Sequence, residues 1–98
     1  PGAREAVAGL AGRCRLGIAS SSPLELIETA LDVAGMRQHF RVLVSSDEVS
    51  HGKPEPDVYL TACARLQAEP ARAAAVEDST NGIRAAAAAG LAVIAWRR

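Results

Sequence analysis

Val76-Glu77-Asp78-Ser79-Thr80-Asn81-Gly82 is the point where this chain passes from a short apolar run into a helix, with two adjacent carboxylates at the turn. The run leading into it, Ala73-Ala74-Ala75-Val76, is too short and too apolar for anything but the end of a buried strand. Ser79 or Thr80 has the side chain to cap the following helix, which runs through the alanine-rich residues 83–89 and stops at Gly90. Acidic residues at the carboxyl edge of a parallel strand stand where open α/β sheets bind ligands. Two carboxylates packed there repel unless something positive lies between them, and a hard cation that takes oxygen ligands and phosphate, Mg²⁺, fits that need. The plainer alternative is that Glu77 and Asp78 only complement a helix dipole. On this stretch alone the two readings balance.

The totals narrow the choice. Ninety-eight residues make one domain. Hydrophobic residues are 49% of the chain but aromatics only 3%, so the core has to be built from Ala, Val, Leu and Ile in tight helix-on-sheet layers. Eleven basic residues balance eleven acidic ones, which leaves no electrostatic case for nucleic acid or an anionic membrane. The longest apolar stretch, residues 85–96, is interrupted at Gly90 and falls short of the roughly 20 residues of a membrane span. No signal-peptide pattern is visible. Cys14 and Cys63 have no metal-ligand spacing and read as buried free thiols in a reducing, cytoplasmic compartment.

Outward from the acidic turn, the chain alternates helix and strand. Pro1-Gly2 reads as a turn or linker, and residues 3–10 place Ala3, Ala6, Val7 and Leu10 at helical spacing, stopped near Gly12. Residues 14–19 form a short strand that ends abruptly in Ser20-Ser21-Ser22-Pro23, with Pro23 in the first turn of a helix. That helix aligns Leu24, Ile27, Leu31 and Ala34 and ends at Gly35. Residues 40–44 are a second strand, followed by the polar Ser45-Ser46-Asp47-Glu48 and an irregular loop, His51-Gly52-Lys53-Pro54-Glu55-Pro56. A helix over residues 57–66 turns Val58, Tyr59, Ala62 and Leu66 inward before Glu69-Pro70 breaks it. The acidic strand and alanine-rich helix follow, then a last strand over residues 91–96 ending in Trp96. The order αβαβαβαβ predicts an α/β fold, a parallel Rossmann-like sheet with flanking helices.

In such a sheet three polar clusters emerge on one edge. Ser20-Ser21-Ser22 offers a hydroxyl and backbone N–H groups to an anion, although an ordinary helix cap has the same sequence. Lys53, between Gly52 and Pro54, is a point charge on a stiff loop and suits phosphate; alone it would pass for a solvated lysine. Glu77-Asp78 is the metal-binding pair. Together these are the parts of a phosphoryl-transfer site.

With these motifs in order, the chain resembles the core of a haloacid dehalogenase-superfamily phosphatase, of the subgroup containing β-phosphoglucomutase and phosphoglycolate phosphatase. Pro1-Gly2 and the helix after it are similar to the return from cap domain to core. Gly17-Ile18-Ala19-Ser20-Ser21-Ser22 resembles the family's second motif, whose hydroxyl holds the transferring phosphoryl group. Ser46-Asp47-Glu48-Val49 with Gly52-Lys53-Pro54-Glu55-Pro56-Asp57-Val58-Tyr59 resembles the third, whose lysine offsets charge on nucleophile and phosphate. Val76-Glu77-Asp78-Ser79-Thr80-Asn81-Gly82-Ile83 resembles the fourth, whose acids hold Mg²⁺. The resemblance implies catalytic roles for Lys53 and Ser20, phosphate binding by Ser20, Ser21 and Lys53, and Mg²⁺ on Glu77 and Asp78. The implied substrate is a small phosphorylated metabolite, a sugar phosphate or a phosphoglycolate-like acid.

One departure counts against a self-sufficient enzyme. The family's nucleophile lies in an Asp-x-Asp motif at the end of a first strand, and none of Asp32, Asp47, Asp57 and Asp78 has a second aspartate two residues on. That strand, like the cap, would lie upstream of Pro1, and it belongs in mid-sheet between the strands ending at Ala19 and Glu77. Residues 1–98 are thus expected to be a partial core with motifs two to four and no nucleophile, inactive alone, with open sheet edges prone to dimerise or aggregate. Two other classes fit some of the features. A response-regulator-like phosphoacceptor also uses acids, a hydroxyl and a lysine, but places its acid pair after the first strand. A non-catalytic binding domain fits the missing nucleophile. His39 and His51 are expected on the surface, Trp96 in sheet packing, Asp47 as a loop cap, and Tyr59 beneath Lys53.

Overall fold

The computed structural model describes residues 2–95. Four helices and four strands alternate as expected: α1 (Ala3–Ala11), β1 (Gly17–Ser20), α2 (Leu24–Ala34), β2 (Val42–Ser45), α3 (Asp57–Leu66), β3 (Ala74–Glu77), α4 (Thr80–Ala89) and β4 (Ala92–Ala95). Three single turns of 3-10 helix, at Arg37–His39, Ser46–Glu48 and Pro70–Arg72, lie in the connections. Among the described residues no helix is long and apolar enough to cross a membrane.

Helix ends follow local chemistry. Gly35 and Gly90 terminate α2 and α4 in the left-handed region, at φ 69° and 91°, where a Cβ would be strained. After α2, the Gly35 N–H bonds Asp32 O and the Met36 N–H bonds Leu31 O, so the last carbonyls are satisfied. Pro23 precedes α2 as its N-cap rather than opening its first turn; its carbonyl accepts the Leu26 and Ile27 N–H groups. Ser79, not Thr80, caps α4, its Oγ accepting the Gly82 N–H at 3.0 Å.

All strand pairing is parallel, but the strands form two separate pairs. β1 pairs with β2, with Gly17 opposite Val42 and Ser20 opposite Ser45; β3 pairs with β4, with Ala74 opposite Ala92 and Glu77 opposite Ala95. β1 and β3 are not bonded to each other. The open slot expected between the strands ending at Ala19 and Glu77 is therefore present among the described residues. α3 packs on β1, β2 and α4, and α4 packs on β3 and β4, so these two helices tie the halves together. The core lies under them. Val44, Val58, Tyr59, Ala62, Ala75, Ala85, Ala86 and Ala89 are buried in one cluster, and its many alanines let α4 approach β3 and β4 closely. Ile27 of α2 is buried outside this cluster.

Three expectations change. β1 begins at Gly17, because the Arg13 and Cys14 N–H groups are both bonded to Leu10 O and Cys14 belongs to the turn after α1. Cys14 is exposed for the same reason; only Cys63 is a buried thiol. β3 is not a buried strand on both faces: Ala75 and Glu77 point into the core, whereas Val76 is 63% exposed beside its register partner Ile94 at 54%. α4 covers one face of the β3–β4 pair, and no described element covers the other. Pro1 and Trp96, with the readings attached to them, lie outside the described residues, as do Arg97 and Arg98.

Candidate active site

The carboxyl ends of β1 and β3 converge on Lys53. Its Nζ lies 3.1 Å from the carbonyl oxygen of Ala19, in β1, and 2.5 Å from Oε2 of Glu77, the last residue of β3. One ammonium thus spans the slot that no strand among the described residues fills. Both side chains are nearly enclosed, Lys53 at 11% and Glu77 at 8% exposure. A buried ion pair is maintained only if the remaining donors and acceptors are satisfied. Here Tyr59 supplies the extra donor. Its hydroxyl donates to the same Oε2 of Glu77, and its ring lies beneath the ammonium, 5.2 Å from Nζ to centroid. Burial, reinforced by the Glu77 carboxylate, pushes the Tyr59 phenol far above its ordinary value of 10.0, so the hydroxyl keeps its proton.

Gly82 completes this arrangement from α4. A Cβ there would fall 1.9 Å from Oε1 of Glu77, so the glycine is the space that the carboxylate occupies. The packing of Tyr59 beneath Lys53 was legible in the spacing. Its hydroxyl's hold on Glu77, and the clearance at Gly82, were not.

A cleft of about 450 Å³ opens over these groups, lined by Ser21, Lys53, Glu77, Asp78, Ser79, Thr80 and Asn81. The three polar clusters do meet on one edge. Ser21 lines the cleft, and Ser20, the last residue of β1, stands just behind with its Oγ accepting the Ser22 N–H at 3.1 Å. Asp78 is exposed at the mouth. The two acids present hard carboxylate oxygens of the kind Mg²⁺ takes, although Oε2 of Glu77 already accepts from Lys53 and Tyr59. Among the described residues no third acid, histidine or cysteine joins them, so they would supply only part of a six-oxygen shell.

Ser45 and Ser46, to which the sequence assigned no role of their own, hold the serine loop. Ser45, fully buried, donates from Oγ to Ser22 O at 2.7 Å, and Ser46 donates from Oγ to Ser21 O at 3.2 Å. The Asp47 N–H bonds Ser45 Oγ at 3.1 Å, so Asp47 contributes its backbone, not its carboxylate. Glu48 accepts the Ser45 N–H at 2.8 Å and pairs with Arg65 at 3.0 Å, and the Ser45 N–H above all holds its carboxyl below the ordinary 4.5. The signal for these residues was the register: in adjacent parallel strands a polar run after β2 has to lie beside the polar run after β1. His51 is exposed and pairs with Asp57 at 3.5 Å, and His39 is half-buried; neither lines the cleft.

Known proteins share this sequence and shape. A family model described as haloacid dehalogenase-like hydrolase matches residues 1–90. The chain is 44% identical over 79 residues to a validoxylamine A 7'-phosphate phosphatase of Streptomyces hygroscopicus subsp. limoneus, covering 81% of this chain and 37% of that one. It is 42% identical over 90 residues to hexitol phosphatase B of Escherichia coli (strain K12), covering 91% and 40%. In three dimensions it superposes on CbbY from Rhodobacter sphaeroides in complex with phosphate at a TM-score of 0.85, with 39% identity over 97% of this chain and 43% of the other. The chain thus spans roughly two-fifths of each relative's length.

Proposed function

Because this chain belongs to the haloacid dehalogenase-like hydrolase family, we propose that it forms the phosphate-binding part of a phosphatase or phosphomutase core acting on small phosphorylated sugars or related metabolites. The observation that supports this most is the position of Lys53, a nearly buried cation shared between the ends of β1 and β3, over a cleft walled by hydroxyls and carboxylates. A positive charge fixed there is pre-organised for a phosphoryl group and needs no rearrangement on binding. The names of relatives point the same way, one being a validoxylamine A 7'-phosphate phosphatase and another a hexitol phosphatase.

Within this reading Lys53 offsets charge on the phosphoryl oxygens and on the nucleophile, and Ser20 and Ser21 hold the phosphoryl group. Glu77, secured by Tyr59, keeps Lys53 in place. Mg²⁺ would be held by Asp78 with Glu77 and would supply further charge neutralisation at the phosphoryl oxygens. The nucleophile is assigned to an aspartate in a segment beyond these 98 residues, on a strand filling the slot between β1 and β3. Its attack on phosphorus breaks the bond to the substrate oxygen, which leaves and is protonated to the alcohol, and gives an aspartyl-phosphate. Water then releases inorganic phosphate in a phosphatase, or a sugar hydroxyl takes the phosphoryl group in a mutase, and either step frees the aspartate. By the same reading residues 1–98 alone turn over no substrate. The match to a hydrolase family favours this over the phosphoacceptor alternative.

The test is phosphate release from a panel of hexose, hexitol and pentose phosphates by the natural polypeptide that contains these residues, with and without Mg²⁺. Asp78→Asn in that polypeptide is expected to raise the Mg²⁺ requirement and to cut turnover by two orders of magnitude or more. Full activity in that variant would remove the metal assignment, and no phosphate release from any member of the panel would remove the function.

A further inference from the structure

We propose that Ser46 is a positioning residue that acts through two backbone groups to aim the Ser20 hydroxyl at a bound phosphoryl group. The inference rests on the phosphate-binding reading of the 20–22 loop and deepens it. Ser46 Oγ donates to the carbonyl oxygen of Ser21 at 3.2 Å. The Ser21–Ser22 peptide is trans, so its C=O and N–H point in opposite directions. Drawing the carbonyl back toward Ser46 therefore turns the Ser22 N–H forward, and it bonds Ser20 Oγ at 3.1 Å. A serine hydroxyl has one proton to donate and lone pairs to accept with. With Ser20 Oγ accepting from Ser22, its proton is the group left to donate, which a phosphoryl oxygen requires. The chain of contacts is Ser46 Oγ–H, Ser21 C=O, Ser22 N–H, Ser20 Oγ–H.

Ser45 steadies the next peptide. Its Oγ donates to Ser22 O at 2.7 Å, and that carbonyl precedes Pro23, whose nitrogen has no hydrogen to aim. Ser45 thus fixes where the loop enters α2, whereas Ser46 sets a donor. Glu48, bonded to the Ser45 N–H and to Arg65, anchors the pair from the end of β2. The polar residues after β2 are then a brace for the loop after β1, placed there by the register of Ser20 opposite Ser45.

Inorganic phosphate titrated into the natural polypeptide that contains these residues, followed by the backbone amide signals of residues 20–22, tests this. In the unmodified chain those signals should shift on binding. Ser46→Ala should weaken phosphate binding about three- to tenfold, the effect of one hydrogen bond, and Ser46→Thr should restore it. Ser20→Ala should weaken binding too, and adding Ser46→Ala to it should cause no further loss, because Ser46 acts only through that hydroxyl. Unchanged affinity in Ser46→Ala, or an equal further loss in the Ser20→Ala background, overturns the relay while leaving the phosphate site intact. No response of residues 20–22 in the unmodified chain overturns the phosphate-binding reading itself, and the relay with it. If Ser46→Ala does not fold, Ser20→Ala decides: it should release the Ser22 amide to faster hydrogen exchange, and unaltered protection there overturns the relay.

Discussion

Glu77 shows how much a single residue depends on its surroundings. Its Oε2 accepts from Lys53 and Tyr59, and its Oε1 lies where a side chain on Gly82 would otherwise be. Gly82→Ala tests that clearance. Alanine would add about 1 kcal/mol of helix propensity, yet it has to displace a carboxylate held by two partners, so a net loss of about 1 to 2 kcal/mol is expected in urea unfolding. A stabilised variant would mean that Glu77 moves aside freely. Tyr59 is the chain's one tyrosine, so phenolate absorbance reports this site alone. Its folded-state ionisation is raised, so the stability it contributes is complete below pH 10 and lost as pH climbs above that. Phenolate should appear only together with loss of helical circular dichroism; ionisation in the intact fold would contradict the bond to Glu77. Lys53, Ser21, Glu77 and Asp78, which the structure brings to one cleft, were singled out by the resemblance of their motifs in combination, each being ambiguous alone. Ser45, Ser46 and Gly82 could not be, because their importance lies in a neighbour reached across the fold.

At the scale of elements, alternation and end signals were legible and strand starts were not. The caps at Gly35 and Gly90 follow from a residue type with a single mechanism, and Ser79 is one of the two hydroxyls the sequence offered for α4. The C-cap of α3, by contrast, is Gln67, which takes the left-handed conformation at φ 56° without being a glycine. Ser79→Ala should cost about 1 kcal/mol in thermal or urea unfolding, since it leaves the Gly82 N–H without its acceptor. β1 was read three residues too early, at Cys14, because apolar residues extend past the point where the chain leaves α1. Backbone bonds to Leu10 O, invisible in composition, hold residues 13 and 14 in the turn. The turn after β2 carries its own pH signature. Glu48 is held below 4.5 by the Ser45 N–H and Arg65, so it stabilises the fold above about pH 4.5, and that contribution is lost as pH falls below it. Glu48→Gln should flatten the acid limb of a stability-versus-pH curve; an unaltered limb would mean that the reciprocal cap contributes nothing.

For the whole molecule, the sequence order implied a parallel sheet, and family likeness implied that a strand is missing from its middle. The structure has two parallel pairs with an unfilled slot between β1 and β3, spanned by Lys53 and roofed by α3 and α4. What the sequence could not convey is the bare face of the second pair. Val76 and Ile94 look like core residues by type, and their exposure depends on which elements are present to cover them. The slot and this face make self-association at high concentration an expected property of the 98 residues, which Val76→Lys should reduce in light scattering without altering phosphate binding.

The central claim is that these residues are one part of a phosphoryl-transfer core whose nucleophile arrives on a strand inserted between β1 and β3. The most direct measurement is the intact mass of the natural polypeptide, with fragment-ion sequencing of whatever precedes Pro1. The expected result is a longer chain with an Asp-x-Asp segment following an apolar run. A natural chain that begins at Pro1 and ends at Arg98 would contradict it and leave a binding domain that has a phosphate site but no group to attack phosphorus.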